Sequence, residues 1–164
     1  SPTAAPSPIQ AGAELEAGGP MRTAVDPAVL RLASGGRVVV LGETTVKRLP
    51  ATPEAGHRLQ LDEGRLWIHL KEGERVEVRS FRTRTTFGPG DAEVDVWKDR
   101  DYYLNTRVYV FKGEALLQGG DRLRVERRVR GGCTVHVDDA HVDLVTRLPE
   151  AIPDPSQKRL LELP

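Results

Sequence analysis

Residues Ala92-Glu93-Val94-Asp95-Val96-Trp97 alternate small or branched apolar side chains with acidic ones. That period of two is the signature of a strand with one face buried and one face wet. The same alternation recurs on both sides of it. Leu66-Trp67-Ile68-His69-Leu70, Arg75-Val76-Glu77-Val78-Arg79 and Thr106-Arg107-Val108-Tyr109-Val110-Phe111 are strands of the same kind. Val29-Leu30-Arg31-Leu32, Arg37-Val38-Val39-Val40-Leu41, Leu59-Gln60-Leu61 and Thr134-Val135-His136-Val137 extend the series. Glycine, proline or charged pairs bound nearly every run, as turns require. The chain is therefore expected to be all-β: about a dozen short strands in a compact sandwich or β-helix-like stack. The one helical signal is terminal. Asp154-Pro155-Ser156-Gln157 has the form of a capping box with proline at the first helical position, so a short C-terminal helix is expected through Leu160, Leu161 and Leu163.

The 164 residues suit one domain. Residues 1–8 read as a Pro/Ala/Ser linker, 9–148 as a single all-β domain, and 149–164 as a proline-containing tail. Opening on such a linker is what a segment following an anchor or leader would do. Twenty-four Lys and Arg balance twenty-four Asp and Glu, so the net basic field of a nucleic-acid binder is lacking. The single cysteine, Cys133, excludes an internal disulfide and alternates with Val135 and Val137 as a core thiol would. No apolar run is long enough to span a bilayer as a helix.

A weak repeat runs through the strands. Leu30-x-Leu32-x-x-Gly35, Leu59-x-Leu61-x-x-Gly64 and Val108-x-Val110-x-x-Gly113 share one spacing, that of a strand, a corner and a second strand. In order along the chain, these elements resemble the FecR domain of bacterial envelope regulators. The matching pieces are Gly12-x-x-Leu15 with Met21-Arg22-Thr23, Ala28 to Val38, and Leu41-Gly42-Glu43-Thr44-Thr45-Val46. They continue with Leu59 to Leu66, Val76-Glu77-Val78-Arg79-Ser80 and Val108 to Ala115. Ser34 stands where the family usually has aspartate, and Thr85 to Val94 keeps little of the usual stretch before the last unit. The resemblance implies a non-catalytic domain acting in the periplasm or cell envelope of a bacterium. It would work through protein–protein contacts in envelope signalling, with any membrane anchor outside this chain.

Candidate sites follow from charge and aromatics. Trp97, Lys98, Arg100, Tyr102 and Tyr103 place charges between amphipathic rings, a composition common at interfaces. Arg122, Arg124, Arg128 and Arg130 share one face of a strand. Those arginines would suit an anionic polymer or glycan, the alternative being a structural envelope protein, or would simply blunt a strand edge. Asp91, Glu93 and Asp95 share a face and are expected to pair across strands with Arg79, Arg82 or Arg84. Straight strands spread alternate carboxylates about 7 Å apart, which does not suit calcium. The cluster His136, Asp138, Asp139 and His141 would need a bend to converge. No metal, cofactor or enzymatic chemistry is expected. Finally, a two-residue hairpin at Gly131-Gly132 would set Val135 against Arg128, mixing apolar and charged residues on one face. The strand after it should therefore pair elsewhere.

Overall fold

The computed structural model describes residues 7–8, 20–119, 125–137 and 142–145. Among them every regular element is a strand: β1 (Ser7–Pro8), β2 (Met21–Arg22), β3 (Ala28–Arg31), β4 (Arg37–Val40), β5 (Thr45–Leu49) and β6 (His57–Leu70). There follow β7 (Val76–Ser80), β8 (Thr83–Lys98), β9 (Leu104–Gly119), β10 (Val125–Arg130), β11 (Cys133–Val137) and β12 (Val142–Val145). All belong to one mixed sheet. β1–β2 and β6–β7 are parallel and the remaining pairs antiparallel. The all-β expectation holds. The C-terminal helix falls outside the described residues, as does the linker apart from Ser7 and Pro8.

The strands are not uniformly short. β6 has 14 residues, and β8 and β9 have 16 each. Glycines expected to be corners lie inside these strands as bulges, where one residue slips out of register and the strand exchanges neighbours. In β8, Thr83–Phe87 pairs with β7, whereas Gly90–Val96 pairs with Gly64–Leu70 of β6. β9 follows β8 along its whole length, with register shifts between Phe87 and Gly90 and between Asp91 and Ala92. There Gly90 and Gly113 face each other, both at positive φ. A Cβ on Gly113 would lie 2.1 Å from the Pro89 carbonyl oxygen, and one on Gly90 2.0 Å from that of Lys112. Only glycine fits such an approach. The repeat thus lies beside bulges in two of its copies. In the third, around Gly35, it is the β3–β4 hairpin, where the Leu32 N–H donates to Gly36 O at 2.8 Å.

β10 pairs with the Glu114–Gly119 end of β9 and β11 with the Thr106–Val110 end of the same strand. Gly131-Gly132 is therefore an interruption in a run along one partner, and the strand after it does pair elsewhere than β10. Inward residues of both strand halves meet in one cluster. Leu59, Leu61, Val76, Val78, Phe87 and Leu117 come from one half, and Leu66, Ile68, Val94, Val108, Val110 and Val135 from the other. Cys133 is half-buried against it. Burial of this kind is worth roughly 1.5–3 kcal/mol per large aliphatic side chain and is the main force holding the sheet.

Candidate interaction surface

Alternation fixes the outward faces as firmly as the inward ones. Register carries a row across the sheet from Val39 to Trp67, Glu93, Tyr109 and Thr134. A neighbouring row runs from Arg65 through Asp95 and Arg107 to His136. Trp97 and Asn105 stand opposite each other one step further on. This face thus gathers both tryptophans of the chain.

Its side chains are tied together. The Trp97 and His136 rings stack with centroids 5.5 Å apart, and the His136 Nε2 lies 2.8 Å from Asn105 Oδ1. The Arg107 guanidinium lies 5.4 Å from the Trp97 centroid and 6.0 Å from that of Tyr109, within cation–π reach of both. Tyr109 in turn stacks on Phe111. Deeper in, Trp67 is 1% exposed, and its Nε1–H donates to Glu93 Oε1 at 2.6 Å. Burial pushes the Glu93 carboxyl up to about 7, and the neighbouring Asp95 adds to the rise. The Trp67 N–H and Arg65 act against it. Burial likewise raises Asp95 to about 6, against the pull of Arg65 and Arg107. Arg65 Nε sits 3.4 Å from Glu93 and 3.2 Å from Asp95.

The turn that joins β8 to β9 borders this face. Asp99 organises it: its Oδ1 accepts from the Asp101 and Tyr103 backbone N–H groups at 2.9 and 3.0 Å, and its Oδ2 from the Asn105 side-chain amide at 3.2 Å. Tyr102 sits at φ 64°, in the left-handed region costly for a non-glycine residue. That conformation leaves its ring 83% exposed, beside a Tyr103 that is 54% exposed. Lys98 and Arg100 are also exposed. Held turns with solvent-facing aromatics provide contact area at low ordering cost.

The arginine candidates lie elsewhere. Arg128 and Arg130 are exposed on β10, at the other end of β9 from the Tyr102 turn, and both pair with Glu114, at 3.2 and 3.9 Å. Arg122 and Arg124 lie outside the described residues. The arginine that Glu93 and Asp95 meet is neither Arg79 nor Arg84. Asp91 bonds to His69 Nδ1 at 2.5 Å, and Glu93 and Asp95 share Arg65. The reason is the bulge in β8, which puts the acidic half beside β6. Arg79 and Arg84 instead gather with Arg58 around Glu77. Of the His/Asp cluster only His136 is described, and it belongs to the aromatic face. Ser34 donates to Glu74 Oε2 at 2.8 Å. Sequence reasoning missed Arg65, Arg107 and His136 as members of one surface laid over the buried Trp67. Each holds an outward position in its strand, but only the pairing register brings them together.

Two crystal structures of a putative anti-sigma factor from Parabacteroides distasonis ATCC 8503 share this fold. Each gives a TM-score of 0.60 at 12% sequence identity, over 77% of this chain and 57% of theirs. The likeness is one of fold, and this chain spans little more than half the length of those proteins. No protein-family model matches the sequence, and no curated protein does.

Proposed function

We propose that this chain is a non-catalytic, extracytoplasmic interaction domain of a bacterial envelope signalling protein. It binds a protein partner through the Trp97–Tyr103 turn and the adjoining Arg107–Tyr109–His136 face. The observation that carries the reading is Tyr102, held outward at positive φ by a turn that Asp99 bonds in place. An ordered, solvent-facing aromatic beside stacked Trp and Arg side chains has the composition of an interface centre. The fold shared with a putative anti-sigma factor supports a regulatory setting, and the FecR-like order of elements suits the periplasm or envelope.

Binding of a glycan or other anionic polymer through the arginines is the weaker reading, because Glu114 already accompanies Arg128 and Arg130. The test is site-specific photocrosslinking in the native bacterium. A photoreactive residue at position 102 or 103 should give one discrete protein adduct, and one at Glu54 or Glu72 should give none. The absence of an adduct at both tyrosine positions, or equal adducts at all four, would refute the proposal.

A further inference from the structure

A second feature lies on the other side of β6, at the β3–β4 hairpin. Among the described residues β3 pairs only with β4, and no described strand lies along its second edge. The direction of its backbone groups follows from the ladder. Leu32 and Gly36 are hydrogen-bonded across the turn, and bonded pairs alternate along an antiparallel ladder. Leu30–Val38 and Ala28–Val40 are then the next bonded pairs. The N–H and C=O groups of Val29 and Arg31 therefore point away from β4, over that second edge.

That edge borders a cleft of about 260 Å³. Its apolar lining includes Leu30, Leu59 and Val76, continuous with the main core, and its cationic lining includes Arg31, Arg48 and Arg58. Among the described residues no carboxylate lines it. Arg58 is engaged by Glu77 at 2.5 Å and the Pro50 carbonyl at 2.9 Å. The side chains of Arg31 and Arg48 are exposed and have no hydrogen-bond or ion-pair partner among the described residues. The volume is below the roughly 300–1,000 Å³ of sites that enclose a whole small ligand. It is suited to single side chains of a longer one.

We infer that this cleft receives an extended acidic peptide, which adds to β3 as a further strand. An open edge supplies main-chain hydrogen bonds, and a cleft beside it selects alternate side chains. Here the inward side chains would be apolar, over Leu59 and Val76, and acidic ones would meet Arg31, on the outward face of β3, and Arg48, which is exposed on the same face as Leu59. The site is separate from the Tyr102 turn and does not depend on it.

The test uses a fluorescein-labelled eight-residue peptide of alternating Glu and Leu, followed by fluorescence anisotropy, with an alternating Lys and Leu peptide as control. The acidic peptide should bind at least tenfold more tightly than the basic one. Val29→Pro removes one edge N–H without touching a β3–β4 bond, a position where a strand tolerates proline. It should weaken binding at least tenfold, and so should the double reversal Arg31→Glu/Arg48→Glu, which changes only exposed side chains. Hydrogen exchange at Val29 and Arg31 should slow when the peptide is bound. Failure of the acidic peptide to bind, equal binding of both peptides, or indifference to the double reversal would overturn the inference. None of these results would alter crosslinking at position 102.

Discussion

Glu93 offers a quantitative check on the buried side of the proposed surface. Its carboxyl is raised from 4.5 to about 7, chiefly by burial, with Asp95 adding to the rise. Below about pH 4.5 the folded and unfolded chains both carry the proton, and Glu93 does not tilt the balance. Between 4.5 and 7 the unfolded chain ionises while the folded one does not. The folded state then binds more protons, so stability must fall as pH rises and level off above 7. At about 1.36 kcal/mol for each pH unit of separation, the loss is on the order of 3 kcal/mol. Asp95, raised to about 6, acts in the same direction. Glu93→Gln keeps an oxygen to accept from Trp67 Nε1–H and discards the titration. Urea unfolding followed by Trp fluorescence from pH 4.5 to 8.5 is the assay. The variant should match the parent near pH 4.5 and be more stable by up to about 3 kcal/mol at pH 8. A variant that loses stability at pH 8 and is unchanged at pH 4.5 would refute the reasoning. Arg65 would then be holding Glu93 ionised.

Other expectations concern the frame and the turn. Gly113→Ala and Gly132→Ala both force alanine to positive φ, near 91° and 85°, but only Gly113 has backbone within reach of the new Cβ. Gly132→Ala should cost about 1–2 kcal/mol and Gly113→Ala about 1–3 kcal/mol more in urea unfolding; equal losses would contradict a bulge packed against Pro89. Glu74 is buried, and its carboxylate accepts from the backbone N–H groups of Lys71 and Gly36, at 2.7 and 3.2 Å, and from the Ser34 hydroxyl. Glu74→Ala leaves those donors unmet and should lower stability by about 1–3 kcal/mol, measured the same way. Asp99→Ala should leave stability within about 1 kcal/mol. It should raise the hydrogen-exchange rates of the Asp101 and Tyr103 amides, and unchanged protection would show that Asp99 does not order the turn.

Much of the fold was legible because alternation reports burial directly. Leu66, Ile68 and Leu70 point inward and Trp67 and His69 away, as the sequence requires, and Val94 and Val96 oppose Glu93 and Asp95. Glycine was the ambiguous letter. At Gly35 it turns the chain, whereas Gly64, Gly90 and Gly113 have the same positive φ within continuing strands, close to bulges. Sequence cannot separate the two, because the difference lies in which strand comes alongside. The bulge in β8 explains the wrong partners for Asp91, Glu93 and Asp95, because it sets them beside β6 and away from Arg79 and Arg84. The Gly131-Gly132 mismatch was readable because one slipped residue inverts a whole face. Of the surface, the Trp97–Tyr103 turn could be read from composition. Its union with His136, 39 positions beyond Trp97, depends on long-range pairing through β9.

The central claim is that the Tyr102 turn, and not the arginine strand, binds the partner. The most direct measurement is calorimetric titration of the domain with the protein recovered by crosslinking at position 102, comparing Tyr102→Ser with Arg130→Ser. Loss of a central aromatic contact typically costs 2 kcal/mol or more, so Tyr102→Ser should weaken binding by at least about tenfold. Arg130→Ser should change it by less than about twofold, as expected of an exposed charge already accompanied by Glu114. The reverse order would contradict the account and move the binding surface to the other end of β9.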